Sequence, residues 1–318
     1  MTGTPQRVLV LGGTGFVGRH VCEKLVAQGI RVTVPTRRID RAREVQLLPL
    51  LDVAVADVHD PAQLARLLPG HDAVVNLIAI LHGNEAAFER AHAVLPRTVA
   101  AAMQAAGVRR LVYVSALGAD AQGPSMYQRS KARGEAALRE SGLDLTLLRP
   151  SVIFGADDKF LNTFARLQAI APVMPLAGAG TRFQPVWVED VAQAVVNALL
   201  DRRSIGLTIE ACGPEVFTLA QLVQLAGRCA GHARAVIPLP LAVGRLQAAL
   251  MELLPGEPLM SCDNVASLSV DNVASGSLPG LQTLGITPAA LSAVAPTYLG
   301  LRGPRSALDR MRQGARRF

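Results

Sequence analysis

The sequence predicts an α/β protein: a doubly wound parallel sheet with a smaller, partly interleaved C-terminal domain. Three observations predict it. Short apolar runs rich in Val, Ile and Leu recur through the first 150 residues, longer stretches with helical spacing separate them, and a glycine-rich turn follows the first run. Parallel strands covered by helices on both faces read as continuous apolar runs, because neither face meets water. At 318 residues the chain exceeds what a single core usually fills, so one large or two fused domains are expected. Half the residues are hydrophobic and 18% are charged, which excludes a disordered chain.

Taken in order, the strand signals are Val8–Leu11, Val32–Val34, Val53–Ala56, Ala73–Leu77, Leu111–Val114 and Leu145–Leu148. The helical stretches between them are Val17–Gln28, Ala62–Leu68, Phe88–Ala106 and Tyr127–Ser141. Past Pro150 the alternation fades. A helix is expected over Val188–Leu200, another over Leu219–Ala230 with Thr218 as N-cap, and a third over Leu241–Leu254. Thr287-Pro288 reads as an N-cap followed by proline at the first helical position. Two copies of Asp-Asn-Val-Ala-Ser, at 263–267 and 271–275, are too few for a repeat array and read as turns or caps. The expected division is 1–155 as the first domain with a return segment 185–210, then 156–184 and 211–301 as the smaller domain, and 302–318 as a basic tail.

The first run leads into Gly12-Gly13-Thr14-Gly15-Phe16-Val17-Gly18. Gly12 allows a tight turn, Gly15 lets a pyrophosphate approach the backbone, and Gly18 lets the helix pack closely. The free N–H groups of a helix beginning near Phe16 would face the phosphates. The stretch reads as a dinucleotide-binding turn of Rossmann type in preference to a merely structural tight turn. The end of the second strand chooses the cofactor. It reads Thr36-Arg37-Arg38, with no acid before Asp40, where NAD enzymes usually place a carboxylate for the ribose hydroxyls. A guanidinium there suits a 2′-phosphate, so NADP(H) is preferred, with NAD(H) as the alternative. Asp57-Val58 falls near the adenine, although Asp57 serves equally well as a helix-start residue.

A second constellation is Tyr127-x-x-x-Lys131. On a helix these two share a face, and a nearby ammonium would lower the phenol pKa. Tyr127 is then the candidate acid/base for a carbonyl/alcohol couple, Lys131 a holder of the nicotinamide ribose, and Ser115 a hydrogen-bond donor to the substrate carbonyl. With only three lysines and three tyrosines in the chain, about 0.03 such pairs are expected by chance. The four cysteines form no C-x-x-C pair and no zinc pattern, so no metal is expected and a reducing, cytoplasmic setting is the default.

These motifs resemble those of the extended or atypical short-chain dehydrogenase/reductases. Further stretches fit: Arg149-Pro150-Ser151-Val152-Ile153-Phe154-Gly155, Pro185-Val186-Trp187-Val188-Glu189-Asp190, and Ala211-Cys212-Gly213-Pro214-Glu215. Val114-Ser115-Ala116-Leu117-Gly118-Ala119, Phe154-Gly155-Ala156-Asp157-Asp158 and the twin Asp-Asn-Val segments are similar to the nucleotide-binding accessory subunit of respiratory complex I (alpha subcomplex subunit nine) and its free-standing bacterial relatives. The resemblance implies that Leu77, Ile78 and Ala79 line the cofactor cleft and that Pro150, Val152 and Ile153 border the nicotinamide. It implies three functions: an oxidoreductase for a carbonyl or quinone-like hydrophobic substrate, a non-catalytic NADPH-binding assembly protein, or an NAD-dependent nucleotide-sugar epimerase or dehydratase. His92 stands where the family often has a relay asparagine: it either relays protons in the same way or is a helix residue without chemistry, and the second reading is preferred.

The formal charge of +7 is uneven. Residues 302–318 hold six arginines against Asp309, so the rest of the chain is nearly neutral and nucleic acid is not an expected partner. No stretch has the apolar length of a membrane helix, and Ala235–Leu254 is broken by Pro238, Pro240, Arg245 and Glu252. The expectation is a cytoplasmic protein, at most peripheral to the inner membrane. Interior packing is preferred for Leu239–Leu254 over contact with a membrane surface, and a core helix for the apolar positions of 156–184 over the wall or lid of a hydrophobic substrate pocket.

Overall fold

The computed structural model describes residues 5–253, 256 and 258–300. In chain order, β1 (Arg7–Leu11) leads to α1 (Phe16–Ala27), β2 (Arg31–Thr36), β3 (Leu51–Val55), α2 (Pro61–Leu67), β4 (Ala73–Asn76) and α3 (Glu85–Glu89). A π-helical turn, Arg90–Val94, joins α3 to α4 (Leu95–Ala105). Then come β5 (Arg110–Val114), α5 (Met126–Glu140), β6 (Asp144–Pro150), β7 (Ile153–Phe154), α6 (Leu161–Ile170), β8 (Val173–Ala177), β9 (Arg182–Phe183) and β10 (Val186–Trp187). The chain continues through α7 (Val188–Leu200), β11 (Thr208–Ala211), β12 (Phe217–Thr218), α8 (Leu219–Cys229), β13 (Ala235–Leu239), α9 (Leu241–Glu252), α10 (Cys262–Ser267) and α11 (Leu291–Leu299).

The chain divides into two compact units. The first takes the described residues of 1–151, 188–212 and 274–287. Its seven strands form one parallel sheet in the order β11-β6-β5-β4-β1-β2-β3. This is a Rossmann-type doubly wound sheet, and its order reverses between β1 and β4, the place where such sheets receive ligands. The strands run apolar because both faces are covered: β4 and β5 are buried at every residue. Leu9, Leu64, Val74, Val99, Met103 and Leu111 belong to one core cluster.

One clip in this unit is polar. Arg110 is buried at the start of β5. Its guanidinium donates to the carbonyls of Leu111 (3.2 Å) and Asp144 (2.6 Å), to Thr146 Oγ1 (2.9 Å), to Ser204 Oγ (3.0 Å), and to the Ala198 carbonyl at the end of α7. A cation suits the negative end of a helix. Burial lowers its pKa to about 10, yet it stays charged at neutral pH.

The second unit takes the described residues of 152–187, 213–273 and 288–318. Phe154, Leu161, Met174, Leu222, Leu291 and Leu299 share its core. Phe160, Phe164 and Leu167 pack against that core and Met174 and Leu176 are buried, but Ile170 and Val173 are exposed. Asp158 organises the turn before α6. Its carboxylate accepts from the N–H groups of Gly155 (3.1 Å), Phe160 (2.9 Å) and Asn162 (3.2 Å) and from the Tyr298 hydroxyl (3.0 Å).

Three expectations are corrected. Segment 274–287 groups with the first unit, not with a continuous 211–301. The reason is Glu210 on β11, whose carboxylate accepts from Ser275 N–H (2.8 Å) and hydroxyl (3.1 Å). The helix expected from Thr287-Pro288 begins only at Leu291. The carboxylate of Glu215 takes the Ser292 N–H (3.0 Å) and hydroxyl (2.7 Å), and so satisfies the first turn from outside. The cap reading of the Asp-Asn-Val copies holds for the first, where Asn264 closes a capping box with Ser261 at the start of α10, and in the second Asp271 binds Arg182. Leu239–Leu254 is not packed inside: α9 buries only Gly244 and Ala248 among its residues. Leu254 and the basic segment 302–318 lie outside the described residues. No helix among the described residues is long and apolar enough to cross a membrane.

Removing the Arg110 clip leaves buried carbonyls and hydroxyls unmet. Arg110→Met is expected to cost about 3 kcal/mol of stability, seen as a lower urea midpoint. A change below about 1 kcal/mol would mean that these groups find other partners.

Candidate functional site

The glycine turn sits at the carboxyl end of β1. Gly12 adopts φ +84°, a left-handed conformation that favours glycine. Its carbonyl accepts from Gly15 N–H at 3.0 Å. A Cβ on Gly18 would stand inside contact distance of that same carbonyl, so only glycine lets α1 come so close to the turn. Gly15 is the N-cap of α1 and brings no side chain to the first-turn N–H groups. Thr14, Phe16 and Val17 complete this turn. The backbone of Leu77 and Ile78, just past β4, runs beside Gly12, where a Cβ would lie 3.3 Å from Ile78 Cγ1. Ala79 follows in the same loop. Together these residues form a cradle at the sheet's switch point. The bare first turn, open for lack of any Cβ, fits the pyrophosphate of a dinucleotide.

The ends of β2 and β3 carry the second group. Arg37 is exposed and, among the described residues, makes no ion pair with an acid. Arg38 is engaged otherwise: its guanidinium grips Asp40 through two bonds of 3.2 and 2.8 Å. Val58 is buried in the first unit's core. The helix-start reading of Asp57 does not hold, because Asp60 caps α2. Asp57 instead accepts from His59 N–H at 3.0 Å. Burial, then Arg90, and further down Arg37, hold the His59 pKa below its ordinary value. So Arg37 and Arg90 both act on His59. Sequence reasoning passed over His59 and Arg90, since neither lies in a motif; only the fold brings the π-helical turn towards the end of β3.

The third group gathers on α5. A capping box of Ser125 and Gln128 starts this helix, so Tyr127 and Lys131 fall in its first turns on one face. Lys131 is fully buried. Its ammonium donates to the Val114 carbonyl at the end of β5 (3.2 Å) and lies 5.2 Å from the Tyr113 ring centre. Burial pushes its pKa down to about 8. Tyr127 is half-buried, edge-on to His92 (5.4 Å) and Phe88 (6.3 Å). The expected lowering of its pKa by Lys131 is not found. Burial pushes the phenol up to about 12, while the Lys131 ammonium is turned to the Val114 carbonyl and the Tyr113 ring. Ser115 follows β5 and its N–H donates to the Leu148 carbonyl at 2.7 Å. Its hydroxyl is buried without a hydrogen-bond partner. A buried unmet hydroxyl costs about 1–3 kcal/mol, and marks a place where a ligand atom would be welcome.

His92 explains how this group is held. Ile80 N–H donates to its Nε2 (3.0 Å), so the ring proton sits on Nδ1 and faces Ser130 Oγ (2.9 Å). Ser130 in turn donates to the Tyr127 carbonyl (2.9 Å). Burial lowers the His92 pKa to about 2. The imidazole therefore stays neutral and ties the loop after β4 to the first turns of α5. A Cβ on Gly134 would collide with the His92 carbonyl, so glycine is what lets α5 lie against the π-helical turn. Pro150 ends β6 in the first unit, while Val152 and Ile153 belong to the second, where Ile153 opens β7.

Comparisons with known proteins agree with this geometry. A family model described as NAD(P)H-binding matches residues 12–202. Subunit 9 of the NADH dehydrogenase (ubiquinone) 1 alpha subcomplex from Mus musculus, a mitochondrial protein, is 35% identical over 289 residues, covering 89% of this chain and 76% of that one. Ceramide reductase of Caulobacter vibrioides is 31% identical over 190 residues, 59% of each chain. The solved structure of UDP-glucose 4-epimerase from Thermus thermophilus, a complex with NAD, superposes with a TM-score of 0.68 at 21% identity, covering 94% of this chain and 99% of that one, a likeness of fold. The chain belongs to the NAD(P)H-binding family, among the homologues of complex I alpha subcomplex subunit 9.

Proposed function

We propose that the chain is an NADP(H)-dependent reductase of a carbonyl or quinone-like group on a hydrophobic substrate. The observation that carries this reading is the unpartnered, buried Ser115 hydroxyl beside the end of β5, where Lys131 is anchored. Gly12, Thr14, Gly15, Phe16, Val17 and Gly18 would hold the pyrophosphate, with Leu77, Ile78 and Ala79 along the cleft. Arg37, with no acid partner among the described residues, would take the 2′-phosphate, and Arg38 would have to leave Asp40 to assist. Asp57 and Val58 would border the adenine, and Pro150, Val152 and Ile153 the nicotinamide. When bound, the nicotinamide supplies the hydride.

The protein's own residues handle the proton. Ser115 would donate a hydrogen bond to the substrate oxygen. Tyr127, protonated at neutral pH with its pKa pushed up to about 12, would act as the acid that delivers a proton there. A raised phenol pKa keeps the acid form present at neutral pH, and the reverse reaction would draw on the phenolate at the same atom. Lys131 would place its ammonium against the ribose. The names of two relatives, ceramide reductase and a farnesyl-dihydroquinoline-oxide ketoreductase of Stigmatella aurantiaca, support carbonyl reduction on an apolar substrate.

A second reading has its own support. The similarity to subunit 9 runs over 89% of the chain, against 59% for ceramide reductase. On that reading NADP(H) braces the fold by binding only its native state, and the protein contacts a respiratory complex without turnover. The two readings separate on NADPH consumption with quinones and ketones. Catalysis predicts turnover in the wild type that falls by about 100-fold or more in Tyr127→Phe. Unchanged turnover in that variant removes the role of Tyr127, and tight binding without turnover on any acceptor favours the bracing role.

Lys131 gives a second test. Its pKa drops from 10.5 unfolded to about 8 folded, so the folded chain releases this proton first. Its burial therefore costs stability below pH 8, and the cost fades as pH rises from about 8 towards 10.5. Lys131→Met is expected to raise the thermal midpoint of the cofactor-free protein at pH 7 while weakening NADPH binding. A lowered midpoint would show that Val114 and Tyr113 offset the burial.

A further inference from the structure

Tyr127 and Lys131 belong to a longer stripe. Counting on in fours along α5 reaches Glu135, so Tyr127, Lys131 and Glu135 follow one another on a single face. Lys131 and Glu135 are both fully buried. Arg149, on β6, grips the carboxylate: its Nε donates to Oε1 (2.9 Å) and its Nη2 to Oε2 (2.7 Å). The half-exposed Arg139, one turn further along α5, adds a contact of 3.1 Å to Oε2. A buried pair of this kind adds little stability over apolar packing of the same volume. What it does add is a fixed negative charge one helical turn from Lys131.

That charge has no rival around the ammonium. From β5, the Val114 carbonyl accepts from Lys131 at 3.2 Å and the Tyr113 ring centre lies at 5.2 Å. Burial keeps the Tyr113 and Tyr127 phenols protonated, and keeps the His92 ring of the π-helical turn neutral. Arg149 is spent on Glu135 itself. Burial works against the Lys131 ammonium, and Glu135 is the charge that works for it. The ammonium is turned to Val114, so the carboxylate acts on it through space, where no water screens the attraction. We propose that Glu135 is a positioning residue: it keeps Lys131 a cation at neutral pH, and Arg149 fixes the carboxylate that does so. The consequence for the cofactor rests on the reading of Lys131 as the holder of its ribose; the pairing on α5 does not.

The chain has only three lysines, so the full protein labelled with carbon-13 at lysine Cε gives three signals, and the one lost in Lys131→Met is that of Lys131. Wild-type Lys131 is expected to titrate at about pH 8, and Glu135→Gln at least about one pH unit lower. Glu135→Asp keeps the charge and should stay within about half a unit of the wild type. An unmoved Lys131 in folded Glu135→Gln overturns the proposal, as does an equal shift in Glu135→Asp, which would trace the effect to packing. Should Glu135→Gln fail to fold with Arg149 unmet, Glu135→Gln/Arg149→Gln removes both charges, and an unmoved Lys131 there overturns the proposal too. NADPH titrations across the same pH range separate this inference from the reading it rests on. If Lys131 holds the ribose, affinity falls as its ammonium titrates, and the fall moves to lower pH in Glu135→Gln. A Lys131 signal that shifts while NADPH affinity stays flat upholds the action of Glu135 and removes the ribose-holding role of Lys131.

Discussion

The close approach of α1 to the turn after β1 governs everything else at this site. Gly18 lies against the Gly12 carbonyl with no room for a Cβ. That single steric fact fixes where the helix starts, and hence where its bare N–H groups point. It also keeps the space beside Leu77 and Ile78 at the switch between β1 and β4. The His92 ring then ties the next residues, at Ile80, to α5, and so links the cradle to Tyr127 and Lys131 by three hydrogen bonds.

Much of the first unit is legible in the sequence, for a physical reason. Parallel strands such as Val8–Leu11 and Leu111–Val114 must be apolar on both faces, so each stands out as a run. The caps are legible too: Thr218 starts α8 through a capping box with Gln221. β11 hides because Glu210 interrupts Thr208–Ala211, and only the fold reveals that Ser275 satisfies its carboxylate. The start of α11 hides likewise, because Glu215, far away in sequence, takes the role of a local cap.

The candidate site shows the same limit. Residue types and spacing point to Gly12, Tyr127 and Lys131, but not to their states. Spacing suggests a phenol acidified by a neighbouring ammonium, whereas burial raises the one and lowers the other. Arg37 and Arg38 look equivalent in the sequence, yet Asp40 occupies Arg38 and leaves Arg37. His92 reads as a passive helix residue, but its two ring nitrogens join two segments. Helix α9 reads as core by its leucines, and its exposure depends on which face Gly244 presents to β8.

The central claim is that the glycine cradle and Arg37 together select a dinucleotide bearing a 2′-phosphate. Calorimetric titration of the full chain with NADPH and with NADH tests it most directly. The account predicts that NADPH binds at least about tenfold more tightly, the contribution of one paired guanidinium–phosphate contact. Equal affinity, or tighter binding of NADH, would contradict it.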